Sequence, residues 1–149
     1  MKNNDDLLTL ENEKDLILNK IVGYPKSSHE LGMNAVHFNL SNTYEKKYIK
    51  NSRTVHISPF GVLFKTHDHF DLDSLLKVQV MIPEYWNIKK RLVTYQRVDN
   101  FESLAFLVRV ISIDVCEDDQ LYNLIAAETV NMHSDDQQAL IAFLGRSAR

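Results

Sequence analysis

The chain is poor in residues that bend, cross-link or stiffen a backbone. Its 149 residues include one cysteine, three prolines, four glycines and one tryptophan. A single thiol rules out an intrachain disulfide. Cys116 sits in "SIDVCEDD", where neighbouring acids disfavour a thiolate, so it reads as a half-buried strand residue rather than a nucleophile. So few glycines leave little material for a glycine-rich phosphate loop. GxSxG, HExxH and CxxC are all missing, and no two acids pair as an acid and a base, so the chain does not read as an enzyme. It also lacks an excess of positive charge. Lys and Arg number 17 against 20 Asp and Glu, for a net charge of −3, which argues against a polymeric nucleic-acid partner. No apolar run approaches a membrane span. Acids interrupt the opening run "MKNNDDLLTLENEKDLIL", unlike a secretory leader, so no membrane insertion and a cytoplasmic location are expected.

What remains is an ordinary globular composition, 44% hydrophobic and 25% charged, with enough residues for one core. Leu7, Leu10, Ile17, Leu18 and Ile21 recur at helical spacing after the caps Asn4 and Asp5, and Gly23 with Pro25 stops the run. This predicts a helix over about Asp5 to Val22. Residues 1–32 are therefore helix and linker, and residues 33–149 are the main domain. "NAVHFNL", "KKYIKNSRTVHI", "GVLFKT", "LLKVQVMIP", "RLVTYQRV", "LAFLVRVISIDV" and "LYNLIAAETV" are β-branched, aromatic or alternating. Polar turns, including "HDHFDLDS" and "EYWNIKK", separate them. Six or seven strands without intervening helices predict a mainly β fold, an antiparallel barrel or sandwich. Ser134 and Gln137 form a capping-box pattern ahead of a C-terminal helix carrying Leu140, Phe143 and Leu144.

Two stretches bear on chemistry. "HDHFDLD" places His67 and His69 near Asp68, Asp71 and Asp73, a donor set that suits a transition metal. It lies in a polar connection without a third ligand at a telling spacing, and reads as a solvated loop. No metal or cofactor is expected. "VHISPFGVLF" is the second stretch. Ser58 can bond nearby backbone amides, Pro59 fixes φ at the first corner position, and Gly61 removes a side chain where the next strand starts.

The second stretch resembles the signature of PilZ domains, which is Asp or Asn, any residue, Ser, two residues, Gly, then an apolar strand. Ser58 and Gly61 match, Val55, Ile57, Val62 and Phe64 match in character, and His56 stands where the family has Asp or Asn. "LIAAETVNMHSDDQQALIAFLGR" is similar to the family's last strand and C-terminal helix. The resemblance covers about Met33 to Arg149. It implies a six-stranded antiparallel barrel with a C-terminal helix, and a bacterial cyclic di-GMP receptor or a relative of one. It also implies two arginines four residues apart before the first strand, gripping phosphate and guanine. Here the first arginine is Arg53, and "GYPKSSHELGMN" offers only Lys26 and His29. Lysine cannot make the flat bidentate contact of a guanidinium. Losing two charge-assisted contacts, each worth about 1.5–3 kcal/mol, would abolish useful binding. The expectation is a PilZ-like regulatory module with weak or no cyclic di-GMP binding that works by binding proteins, through the apolar face of the N-terminal helix. That face also suits self-association into a homo-oligomer, or it simply covers the barrel. The alternative is a cyclic di-GMP receptor with a non-standard site made of Lys26, Arg53, His56, Ser58 and Gly61.

Overall fold

The computed structural model of the chain describes residues 14–23, 30–38, 51–92, 104–115 and 122–147. Residues 14–22 form a helix, α1. Six strands follow, β1 (Gly32–His37), β2 (Ser52–Ser58), β3 (Gly61–Thr66), β4 (Leu75–Val80), β5 (Leu104–Val115) and β6 (Asn123–Asn131). Helix α2 (Tyr85–Leu92) lies between β4 and β5, and α3 (Ser134–Ser147) follows β6. The strands close into an antiparallel barrel in the order β1-β2-β3-β6-β5-β4. The six-stranded barrel with terminal helices agrees with the sequence expectation.

Alternation explains the interior. Val62, Phe64, Leu76, Val78, Val80, Leu104, Phe106 and Val108 are spaced by two along their strands, and all are buried. Helices α2 and α3 cap the barrel end where β4 and β6 finish. Tyr85 and Ile88 of α2 and Leu140, Phe143 and Leu144 of α3 join the same core as the strands.

Three expectations need correction. "EYWNIKK" is not a turn: Tyr85 and Ile88 lie on one face of α2 and are buried, and this packing carries a helix too short to show periodicity in the sequence. "RLVTYQRV" is not a strand at its start, because Arg91 and Leu92 belong to α2; its remainder lies outside the described residues. The cap of α3 is His133, one residue before Ser134. The His133 carbonyl accepts from Gln137 N–H at 3.0 Å, and its Nδ1 accepts from Asp135 N–H at 3.3 Å. The first part of the N-terminal helix (residues 5–13), residues 46–50 of the second strand-like segment, Lys26 and Cys116 also lie outside the described residues.

Candidate functional site

The corner between β2 and β3 is a two-residue connection, with Ser58 paired to Gly61 across it. Ser58 is 0% exposed, and its hydroxyl accepts a hydrogen bond from Phe60 N–H at 3.1 Å. Pro59 supplies a negative φ, and the Phe60 carbonyl accepts from Thr129 N–H at 2.8 Å, tying the turn to β6. Gly61 answers a different need from the one its place in a turn suggests. Its φ of 159° is close to extended. A Cβ there would lie 2.2 Å from the Ala127 carbonyl oxygen, 2.8 Å from Ile21 Cδ1 and 3.1 Å from Glu128 Cα. Glycine is required because β6 on one side and α1 on the other approach the backbone this closely.

A β-bulge between Thr54 and His56 sets which side chains share the outer face of β2. Ser52 and Thr54 are buried, and beyond the bulge Ile57 is the inward residue. The extra residue, Val55, shifts the parity of the strand. Arg53, His56 and Ser58 then fall on one face, where strict alternation would have set Arg53 opposite the other two. Of the five candidate residues, four are thus brought to the corner or the strand leading to it. Arg53 is exposed and lies 4.0 Å from Glu30, whose carboxylate also takes Lys65 at 2.7 Å. Ser58 and Gly61 are buried within the corner. His56 is half-buried on the outer face.

The apolar face of α1, which the sequence marks as one that docks, meets the barrel. Ile21 is 0% exposed and reaches the corner at Gly61, while Ile17 and Leu18 are half-buried. Lys20 lies with its Nζ 5.5 Å from the Phe60 ring centroid. A cleft of 520 Å³ runs between α1, the corner, the end of β6 and α3. Phe60, Val130 and Ile141 line it and are 43%, 54% and 46% exposed. Helical spacing revealed that α1 has an apolar face, but only the fold shows what that face meets.

The two histidines of the histidine-rich loop meet different neighbours. The His67 ring stacks on Tyr122 at 3.9 Å, and the His69 Nδ1 lies 3.4 Å from the Asn123 amide nitrogen. Among the described residues no three His, Cys, Asp or Glu side chains gather in a metal-binding arrangement.

No family model and no curated protein sequence matches the chain. Solved structures do. An inhibitor of motility from Bacillus subtilis, MotI/DgrA, aligns over 83% of this chain and 49% of its own, with a TM-score of 0.57 and 15% identity. MrkH of K. pneumonia aligns over 83% of this chain and 46% of its own, with a TM-score of 0.52 and 15% identity. The chain spans about half the length of each. The likeness is one of fold, a closed six-stranded antiparallel barrel followed by a helix, which is the architecture that the PilZ resemblance implies.

Proposed function

We propose that this chain is a PilZ-like regulatory module that acts through protein contacts and binds cyclic di-GMP weakly or not at all. The observation that carries this reading is the state of the serine–glycine corner. The Ser58 hydroxyl is buried and takes the Phe60 amide, and Gly61 is covered by Ile21. Both residues are satisfied by the fold itself. No pair of arginines four residues apart occurs anywhere in the chain. Arg53 lies across from Lys65 of β3, and both meet the Glu30 carboxylate. The structural neighbours, one of them an inhibitor of motility, support a regulatory role over an enzymatic one. The cleft beside the corner sets the exposed Phe60, Val130 and Ile141 among polar groups such as Lys20, Glu128 and Gln137, the mixed lining that protein contacts use.

A titration calorimetry experiment with cyclic di-GMP at physiological salt tests the reading. The expected result is no saturable heat in the micromolar range. Saturable micromolar binding that Ser58→Ala weakens would overturn it in favour of the receptor alternative. The exposed Phe60 ring and the Lys20 ammonium beside the corner are the features that favour that second reading, since an aromatic base stacks on one and a phosphate meets the other.

A further inference from the structure

The position of α1 carries a consequence for the corner itself. Helix α1 meets the barrel at the β2–β3 corner, and among its described residues the fully buried side chain is Ile21, seated against the Gly61 backbone. Ile17 and Leu18 are half-buried beside it. The rest of the described helix is solvent-facing: Lys14, Asp15, Leu16, Asn19, Lys20 and Val22 are all exposed. By contrast, β3 is hydrogen-bonded along its whole length to β2 and β6. The barrel is thus held by a continuous ladder, whereas the described part of α1 meets it through one fully buried side chain, its half-buried neighbours and the approach of Lys20 to Phe60. The absent side chain of Gly61 is what lets Ile21 seat there.

We propose that α1 is a removable cover on the serine–glycine corner, and that a partner or ligand reaching the Gly61 backbone does so only after α1 has lifted, while the cleft beside the corner is open with α1 in place. This rests on the reading that the corner face is the working face of the barrel. Burial of one isoleucine side chain corresponds to roughly a tenfold to hundredfold bias in an equilibrium. The apparent affinity of anything that needs the open form is lowered by the same factor. Removing the anchor should raise that affinity correspondingly, while the barrel keeps its fold.

Amide hydrogen exchange on the full chain, wild type and Ile21→Ala, tests the cover directly and needs no ligand. The expected result has two parts. Amides of residues 14–22 exchange before those of β3 and β6 in the wild type. Ile21→Ala then speeds exchange in residues 14–22 about tenfold or more and leaves the strands protected. Exchange of α1 and the strands as one cooperative unit in both proteins would overturn the proposal. Ile17→Ala, which loosens the helix without emptying the space over Gly61, serves as the second variant should Ile21→Ala not fold. Cyclic di-GMP is then titrated into the same proteins. Binding that is stronger to the loosened variant supports the cover and revives the receptor reading. Equal binding to both proteins overturns the cover and leaves the receptor reading standing. With no binding to either, the receptor alternative fails and the exchange data alone decide the cover.

Discussion

At the scale of the residue, the corner shows how one short motif meets several demands. Ser58 closes the turn through Phe60 N–H, and Gly61 makes room for the Ala127 carbonyl and for Ile21. Gly61→Ala would insert a methyl group 2.2 Å from a backbone carbonyl that cannot move without breaking the β3–β6 ladder. The expected cost is about 1–3 kcal/mol or more, read from the midpoint of urea unfolding. A variant as stable as the wild type would show that the strands separate freely there. Ser58→Ala is a milder change. It removes one turn hydrogen bond, so unfolding should show a loss of about 0.5–1.5 kcal/mol in protein free of ligand. The serine and the glycine were both legible in the sequence as corner residues. The reason for the glycine was not, because it depends on β6 and α1, which are distant in the chain. The bulge that aligns Arg53 with His56 and Ser58 was equally invisible, since nothing in "SRTVHIS" marks an extra residue.

At the scale of the element, the strands were legible because their interior is apolar and their period is two. β3 and β5 match the expected segments residue for residue. Helix α2 was not legible because packing, rather than local pattern, decides it. Tyr85 is 1% exposed, and its hydroxyl hydrogen-bonds Asp136 of α3, whose carboxylate also takes Lys89 at 3.0 Å. This clamp joins α2 to α3 beneath the barrel. Burial, with the hydrogen bond and negative charge of Asp136 adding to it, pushes the Tyr85 hydroxyl well above its usual pKa of 10.0. The sign of the pH dependence follows. The folded protein keeps Tyr85 neutral, while the unfolded chain ionises it above about pH 10. The contribution is therefore complete below that value and is lost as the pH rises beyond it, at about 1.4 kcal/mol per pH unit. Tyr85→Phe should cost about 1.5–3 kcal/mol at neutral pH, because a charged acceptor loses its donor. It should also remove this alkaline slope, so the gap between variant and wild type narrows above about pH 10. A gap that stays constant across that range in denaturant unfolding would show that Tyr85 ionises in the folded state as freely as in the unfolded one.

At the scale of the whole molecule, closure is the property that the barrel has to maintain, and at the join of β1 with β2 a side chain contributes to it. Among the described residues Gly32 and Met33 pair with β2, against Arg53 and Ser52, and β1 pairs with β4 over five residues, Met33 to His37. A side chain completes the seam. The Asn51 carboxamide accepts from Ala35 N–H at 2.9 Å and donates to the Ala35 carbonyl at 2.8 Å, imitating a further residue of strand. Its amide also donates to Asp68 at 2.8 Å, and its oxygen accepts from the Ser52 hydroxyl at 2.9 Å. Thr54 adds to the seam from below, its hydroxyl accepting from Leu31 N–H at 2.9 Å. An open seam would expose two strand edges, the condition that a closed barrel avoids. Asn51→Ala strands both backbone groups of Ala35, so it should cost about 1–3 kcal/mol. The loss should also be local. Hydrogen exchange should accelerate first in residues 33–35 and 52–54, while β3, β6 and β5 stay protected. If the whole barrel instead exchanges faster by one common factor, the seam is no weaker than the rest, and closure is a property of all six strands together.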